Sequence, residues 1–392
     1  RWSSYPNNNL PQKKKLPLNY YNKDGTRIGW LTFAPMTLHN FNAGPSILPK
    51  TVLEEASRAL LDFNGSGLSI LEIGHRTPLF TPVMEEARAL VRELMQLDEA
   101  HEVLFLHGGA TLQFVQVPMN LLGANQVANY TETGTWSEKA IKEARLFGNV
   151  HIAGSSLYTG HTTIPKKLDL QTPGAYLHLT SNETIAGTQW QQFPSDCGMP
   201  LVADMSSDIM SRVLDFNQFD LIYAGAQKNI GPAGVSLVVV NKNCLGKVER
   251  PIPAFMDYRL HIKEASMLNT PPVFAVYVIL LTLRWLKEQG GVAAIEEKNK
   301  AKAKLFYDTL DALPLFHGPV AKEDRSMMNA VFLMQDPNLE KEFLTAAEQE
   351  GMVGIKGHRS VGGFRVSLYN ALPLESAQAI TSFMRAFANK KG

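Results

Sequence analysis

Short apolar runs recur through the first two thirds of the chain, separated by stretches in which apolar residues return every three or four positions. The run 103–106 ends in His107-Gly108-Gly109, which is typical of a strand that enters a tight turn. Short, continuously apolar strands are expected where helices cover both faces of a sheet. The alternation therefore predicts an α/β layer with a largely parallel sheet. The candidate strands are 103–106, 126–130, 175–180, 201–204, 221–224 and 235–240.

The most apolar run of the chain, 273–286, contains Arg284. It is shorter than the roughly 18 residues that span a bilayer, so we expect a buried core helix and no membrane contact. Helical spacing of apolar residues predicts the other helices of this part. They cover 48–61, 81–97, 111–122 and 137–147.

The last hundred residues follow a different pattern, which predicts a smaller α+β domain. We place its boundary at Gly290-Gly291, which gives a large domain over 36–290 and a small domain over 291–392. Alternatively, the first N-terminal segment of the range 36–290 belongs to the small domain. Helices are predicted over 292–313, 339–350 and 374–388, and strands over 328–334 and 363–367.

Residues 1–35 lack sustained periodicity and have no apolar stretch of the kind that a secretory signal contains. We interpret them as a leader or extension, poorly ordered, with Met36 as the natural start. A packed N-terminal arm is the alternative.

The composition is that of an ordinary globular protein, because 45% of the 392 residues are hydrophobic and 19% are charged. The formal net charge of +1 gives no global field that would attract nucleic acid or an anionic membrane. Any anion site must therefore be local. The only two cysteines, Cys197 and Cys244, are far apart in the sequence, which excludes a disulfide framework and a cysteine metal site and favours the cytoplasm.

Two residues at predicted strand ends are candidates for catalysis. Lys228 follows the strand 221–224 inside a turn rich in glycine, alanine and proline. Burial lowers the pKa of an ammonium group, and a neutral amine can form a Schiff base with a carbonyl. Asp204 ends the strand 201–204, where a carboxylate could pair with the pyridine nitrogen of pyridoxal phosphate. The alternatives are a solvated loop lysine and a helix-capping aspartate.

Three further motifs follow predicted strands. The turn His107-Gly-Gly-Ala110-Thr111 leaves free N–H groups at a helix N-terminus, where a phosphate can bind. Trp136 could stack on a cofactor ring, and a plain core tryptophan is the alternative. Thr184, in Ser181-Asn-Glu-Thr, could bind a ring oxygen, and an N-cap is the alternative.

Glycine-rich loops carry a cluster of basic residues. His75 and Arg76 lie in one loop, and His358, Arg359 and Arg365 lie in a second loop of the C-terminal block. Guanidinium groups bind carboxylate and phosphate with two hydrogen bonds, so these loops could together bind a dianion. The alternative is a set of solvated surface residues.

Taken together, the motifs resemble the phosphoserine aminotransferases, class-V pyridoxal-phosphate enzymes of fold type I. The resemblance covers about 38–388, from Phe41-Asn-Ala-Gly-Pro-Ser-Ile-Leu-Pro49 to Gly357-His-Arg-Ser-Val-Gly-Gly-Phe-Arg365-Val-Ser-Leu-Tyr-Asn-Ala. The motifs between them occur in family order, namely Gly-His-Arg, His-Gly-Gly, Ser-Asn-Glu-Thr, Ala-Asp-Met-Ser-Ser, Ala-Gln-Lys-Asn and Leu-Asn-Thr-Pro-Pro. The resemblance implies a large domain with a mostly parallel seven-stranded sheet and a smaller C-terminal α+β domain.

The resemblance also implies roles for individual residues. Lys228 would be the Schiff-base lysine, Asp204 the partner of the ring nitrogen and Trp136 the ring-stacking residue. Thr184 would lie near the ring hydroxyl. The phosphate ligands would be Ala110, Thr111, Gln227 and, from the neighbouring subunit of a homodimer, Asn269 and Thr270. The substrate-anion groups would be His75, Arg76, His358, Arg359 and Arg365. Some family members have Gly-Arg where this chain has Ala110-Thr111, which implies less charge compensation of the phosphate.

The function that the resemblance implies is amino transfer from L-glutamate to 3-phosphohydroxypyruvate, which gives 2-oxoglutarate and O-phospho-L-serine in serine biosynthesis. Whether 4-phosphohydroxy-L-threonine, which is used in pyridoxine biosynthesis, is also a substrate stays open. Two rivals remain. One is a serine–pyruvate or alanine–glyoxylate aminotransferase of the same fold type, and the other is a non-catalytic protein that binds pyridoxal phosphate. No metal is expected.

Overall fold

The computed structural model of the protein describes residues 37–391, so the predicted leader 1–35 lies outside the described residues. The strands are β1 (His39–Asn40), β2 (His101–His107), β3 (Val127–Glu132), β4 (Asn149–Ser155), β5 (Leu177–Thr180), β6 (Leu201–Asp204), β7 (Leu221–Gly225), β8 (Val235–Asn241), β9 (Phe316–His317), β10 (Asn329–Met334), β11 (Met352–Val353) and β12 (Phe364–Ser367). The helices are α1 (Lys50–Ala59), α2 (Thr81–Leu94), α3 (Gly109–Leu121), α4 (Thr135–Ala144), α5 (Tyr258–Lys263), α6 (Val273–Glu288), α7 (Gly291–Ala312), α8 (Glu340–Gln349) and α9 (Leu374–Lys391).

Seven strands form one sheet, in the order β2-β8-β7-β6-β5-β3-β4. Strands β7, β6, β5, β3 and β4 pair in parallel with their neighbours. Strand β8 is antiparallel to both β7 and β2, because a short turn returns the chain directly beside β7. The predicted α/β class with a mostly parallel sheet is confirmed.

Helices cover both faces of this sheet, and successive residues of a strand point to opposite faces. Ile222 and Ala224 of β7 belong to a core with α1, α2 and α6. Tyr223 belongs to the core on the other face, with α3 and α4. Nine residues of α6 are buried, as its apolar run predicts. Within residues 37–391, no helix is long and apolar enough to cross a membrane.

A separate core lies in the C-terminal part, between α7, α8, α9 and the small sheet β12-β10-β9. It is built around packed phenylalanines, among them Phe332, Phe343 and Phe364. Phe41 also belongs to this core, and β1 pairs with β11. A domain boundary at Gly290-Gly291 stays a prediction.

One strand of the large sheet, β4, was not predicted from the sequence. It lies at the edge of the sheet, and only Ala153 among its seven residues is buried. An edge strand needs few apolar residues, so the search for apolar runs misses it. The short elements β1, β9, β11 and α5 were missed because two to six residues carry too little periodicity.

Candidate active site

The carboxyl ends of the parallel strands open into one cavity, as is general for α/β sheets. Its volume is about 190 Å³. The lining residues come from the segments that follow β2, β3, β5, β6 and β7. They are Gly108, Gly109, Ala110, Thr111, Trp136, Thr180, Asn182, Thr184, Asp204, Ser206, Ser207, Gly225, Gln227, Lys228 and Gly234.

Lys228 reaches this cavity from the turn after β7. Lys228 is only 9% exposed, and its Nζ donates a hydrogen bond of 2.6 Å to Thr184 Oγ1. Burial lowers the pKa of Lys228 to about 8, against the opposing effect of the Asp204 and Glu183 carboxylates. A fraction of the amine is therefore neutral near pH 8, as a nucleophile or proton acceptor must be.

Segments from both ends of the chain hold the turn that bears Lys228. Ser46 donates from its backbone N to Gln227 O at 2.9 Å and from its hydroxyl to Lys228 O. A Cβ atom at Gly44 would lie 3.2 Å from Lys228 Cγ, so this segment packs closely. From the other end, Asn370 N donates to Asn229 Oδ1 at 3.0 Å.

Asp204 ends β6 and is 4% exposed. Its Oδ1 accepts hydrogen bonds from the backbone N and the hydroxyl of Ser206, at 2.9 and 2.6 Å. Burial raises the pKa of Asp204, while the Ser206 bonds and Lys228 oppose this shift. Among the described residues no group donates to Oδ2, so this oxygen is available for a cationic N–H in the cavity.

The cavity has polar groups at two further walls. Gly108 has a φ of 89°, a left-handed conformation that suits glycine, and α3 begins directly after it. The first N–H groups of this helix have no partner within the helix and lie beside Thr111 and Gln227. Trp136 Nε1 and Thr180 Oγ1 are buried without a hydrogen-bond partner in the described part of the chain.

The second basic loop lies beside the cavity. Arg365 Nη1 donates to Thr184 O at 3.0 Å, and burial lowers the pKa of its guanidinium. Burial also lowers the pKa of His358, and nearby positive charges lower it further. These charges belong to Arg365, Arg359 and Lys139. The structure thus brings His358, Arg359 and Arg365 together, as the sequence predicted.

The other predicted anion groups do not line the cavity. The exposed Arg76 donates to Met267 O and Leu268 O, at 3.1 and 3.3 Å. The next two residues, Asn269 and Thr270, which were predicted to reach the phosphate from a neighbouring subunit, contact His107 within this chain and do not line its cavity. His75, next to Arg76, is half-buried, and its Nε2 has no hydrogen-bond partner among residues 37–391. His75, Arg76, Asn269 and Thr270 therefore lie outside this chain's own cavity.

Sequence reasoning missed three residues at the site. Ser206 lies two positions after Asp204, a spacing typical of a side chain that bonds its own turn, and this signal could have been read. Lys139 has its Nζ 4.4 Å from the centre of the Trp136 ring, and nothing in its sequence context indicates this. Glu183 was considered only as part of an N-cap motif, yet its carboxylate is fully buried.

The sequence model of the family described as "Aminotransferase class-V" matches residues 38–385. The chain belongs to this family. The predicted family and fold type are thereby confirmed. The solved aminotransferases with a similar fold include an alanine–glyoxylate aminotransferase from Nostoc, at 17% identity and a TM-score of 0.70, which shows the fold alone.

More similar relatives are phosphoserine aminotransferases. That of Flavobacterium johnsoniae is 54% identical over 91% of this chain and the whole length of the relative. That of Porphyromonas gingivalis is 52% identical over the same shares. The solved enzyme of Bacillus circulans subsp. alkalophilus is 46% identical, with a TM-score of 0.89 over 91% of this chain and 99% of its own. The solved Trichomonas vaginalis enzyme, which has pyridoxal phosphate bound, is 36% identical, with a TM-score of 0.83 over 89% of this chain and 100% of its own.

Proposed function

We propose that this protein is a phosphoserine aminotransferase that uses pyridoxal phosphate. It transfers the amino group between L-glutamate and 3-phosphohydroxypyruvate, with O-phospho-L-serine and 2-oxoglutarate as products. The observation that carries the proposal is one cavity that holds the buried Lys228 amine, the buried Asp204 carboxylate and a helix N-terminus, next to a cluster of cations.

The groups in the cavity fit the cofactor. The N–H groups at the start of α3, with Ala110, Thr111 and Gln227, suit a phosphate. Asp204 Oδ2 suits a protonated pyridine nitrogen, and Trp136 offers a ring face. Thr184 and Lys228, joined by a hydrogen bond, suit the ring hydroxyl and the aldehyde. When bound, pyridoxal phosphate supplies the electron sink that stabilises a carbanion at the substrate Cα.

Lys228 Nζ moves the protons of the reaction. In the first half-reaction it takes the proton from Cα of the amino donor, and in the second it gives a proton to Cα of the oxo acid. Its position beside Thr184 and over the Trp136 ring, 5.6 Å from the ring centre, restricts the directions from which it can act. Burial raises the pKa of Asp204, but the Ser206 hydrogen bonds and Lys228 oppose this shift and favour the carboxylate form, which would pair with a positive charge in the cavity.

The basic loop selects substrates with two anionic groups. Arg365 extends from β12 to the Thr184 carbonyl and is placed to receive the α-carboxylate. His358 and Arg359 then receive the second anion, which is the phosphate of phosphoserine or the side-chain carboxylate of glutamate. The phosphorylated substrate 4-phosphohydroxy-L-threonine has the same two anionic groups, and we include it as a second substrate.

We further propose a homodimer with shared sites. Arg76 binds the carbonyls of Met267 and Leu268, so it forms one surface with the neighbouring Asn269 and Thr270. This surface does not line the chain's own cavity, which supports a role in the cavity of the partner subunit. The exposed side chains of Leu71 and Leu79, which flank Arg76 in the sequence, would be covered in such a dimer.

Hybrid dimers test the shared site. Lys228→Ala and Arg76→Ala proteins, each inactive or nearly so, are mixed, dissociated and reassociated. If Arg76 acts in the partner's cavity, each hybrid dimer has one intact site, and about a quarter of wild-type activity returns. If Arg76 acts in its own chain, no activity returns, and the shared site is wrong. Each variant taken alone through the same treatment is the control.

A cytoplasmic location completes the proposal. Cys197 and Cys244 are both free, which suits a reducing compartment. Fractionation of cells that express the full chain, with detection of the protein in the soluble fraction, tests this location.

Absorbance and turnover test the proposed function together. The purified protein should absorb visible light through the cofactor joined to Lys228, and the band should fade when L-glutamate is added. Amino transfer from O-phosphoserine should exceed transfer from alanine by orders of magnitude, because alanine has no second anion for His358 and Arg359. A colourless protein after incubation with cofactor, or equal turnover of both donors, would contradict the proposal.

A further inference from the structure

Helix α4 has Gly134 at its N-cap position, so no N-cap side chain is present to bind the first N–H groups of the helix. The Ser137 hydroxyl accepts from the Gly134 N–H at 3.0 Å, which leaves the N–H groups inside the first turn to another acceptor. The carboxylate of Glu183 takes over this role from a distant loop. Its Oε1 accepts from Ser137 N at 3.2 Å and its Oε2 from Trp136 N at 3.4 Å. These are the N–H groups that a capping side chain normally binds, so Glu183 fixes the first turn of α4.

The contact between Glu183 and this turn is close. Glu183 is fully buried, and Thr133 Oγ1 donates to its Oε1 at 3.5 Å. A Cβ atom at position 134 would lie 2.7 Å from the Glu183 carboxylate, so a side chain there would displace the carboxylate from its present position. Glycine at this position therefore allows the carboxylate to reach the helix, where the dipole favours negative charge.

Glu183 also joins two segments that line the cavity near the Lys228 amine. Its neighbours Asn182 and Thr184 both line the cavity, and Thr184 accepts the hydrogen bond from Lys228 Nζ. The helix turn that Glu183 binds bears Trp136, whose ring centre lies 5.6 Å from Lys228 Nζ and whose side chain also lines the cavity. One buried carboxylate thus connects the segment that bears Thr184 to the helix turn that bears Trp136.

We propose that Glu183 is a positioning residue of the site, which holds the Trp136 ring in place for the cofactor by capping α4. The inference rests on the proposed cofactor site. Glu183 itself is not a catalytic residue, since it contacts the helix and not the cavity.

The charge of Glu183 sets the conditions for a test. Burial, with a smaller contribution from the Asp204 carboxylate, raises the pKa of Glu183 to about 7, against the opposing effect of the hydrogen bonds from Ser137 and Trp136. The charged groups around Lys228 are Asp204, Glu183, Arg365 and Asp208. Measurements at about pH 8.5 therefore compare an ionised Glu183 with a neutral replacement.

A double-mutant cycle tests whether Glu183 acts through Trp136. The proteins are wild type, Glu183→Gln, Trp136→Phe and the double variant, each stripped of cofactor as the full chain and titrated with pyridoxal phosphate. Glu183→Gln should weaken cofactor binding roughly fivefold, as the loss of a good N-cap interaction does. In the Trp136→Phe background the same change should have less than about half of this effect, because the ring that it positions is gone.

Fluorescence of the cofactor-free proteins gives a readout that does not depend on activity. The difference between each protein and its Trp136→Phe counterpart isolates the emission of Trp136. This emission should shift to longer wavelength in the Glu183→Gln background, because the loosened helix turn exposes the ring to water. Glu138→Gln is the matched control, since Glu138 lies in the same helix turn and pairs with His161 on the outside. It should change neither the cofactor affinity nor the Trp136 emission.

Two results would overturn the inference. One is equal weakening by Glu183→Gln with and without Trp136, which would show that Glu183 acts on the cofactor or on folding directly. The other is an unchanged affinity. If Glu183→Gln fails to fold, Glu183→Asp, which keeps the charge on a shorter side chain, replaces it in the same cycle with a smaller expected effect. Failure of the wild-type protein to bind the cofactor would instead contradict the proposed function.

Discussion

The two halves of the proposed site are built in different ways. Lys228, Asp204 and Thr184 are buried residues at the ends of strands in one sheet, and hydrogen bonds within one chain fix them. Of the cations, Arg365 lies on β12, and His358 and Arg359 lie on the loop before it, near the cavity. Arg76 lies on another loop and does not line the cavity. The half of the site proposed for the chemistry, formed by Lys228, Asp204 and Thr184, is therefore preorganised before any substrate arrives, whereas the half proposed for anion binding is assembled from separate segments.

The largest effect is expected from the chemical half. Lys228→Ala removes the amine that moves the protons in the proposed reaction, so the rate of amino transfer should fall by about 10⁴-fold. The visible band of the covalently held cofactor should also disappear. Steady-state kinetics and absorbance spectra of the purified variant measure both effects. A variant that retains more than a few per cent of wild-type activity would show that another group moves the proton.

Asp204→Asn should have the next largest effect. The amide keeps the size and can still accept the Ser206 hydrogen bonds, but it cannot hold a protonated ring nitrogen. We expect kcat to fall by about 10²–10³-fold, with little change in the free energy of unfolding. Stopped-flow absorbance after glutamate addition measures the affected step. An unchanged kcat would show that Asp204 does not take part in the chemistry.

The anion-binding half should respond through KM. Arg365→Lys keeps the charge but loses the planar group that can form two parallel bonds with a carboxylate. KM for O-phosphoserine should rise about 10–100-fold, with a smaller change in kcat. Arg385→Lys is a matched control, because Arg385 binds Thr309 in the C-terminal core, away from the cavity. Comparable losses in both variants would indicate a general loss of structure.

The smallest expected effect concerns pH. The pKa of Lys228 is lowered from 10.5 to about 8, so the neutral amine becomes available as the pH rises through 8. The rate at which cofactor-free protein captures pyridoxal phosphate should increase roughly 20-fold between about pH 6.5 and 8.5 and then level off. Stopped-flow measurement of the visible band tests this. A rate that keeps rising tenfold per pH unit beyond 9 would mean that burial does not lower the pKa.

The candidate site residues that lie at or just after the end of a strand could be predicted from the sequence. Lys228 and Asp204 could be found because each follows a short apolar run, and the carboxyl ends of parallel strands meet at one edge. The role of Glu183 could not be predicted from the sequence, because its contacts with 133–137 join segments that are almost fifty residues apart. Nor could the sequence alone show that Arg76 binds the 267–268 carbonyls, since this contact depends on how two loops pack.

The turn around Lys228 has a consequence for biosynthesis. It is held on one side by Ser46 and on the other by Asn370, which lie in distant parts of the sequence. During synthesis the turn emerges before Asn370 does, so it lacks this second support until position 370 has also been made. A chain terminated prematurely before position 370 therefore leaves the lysine without that support.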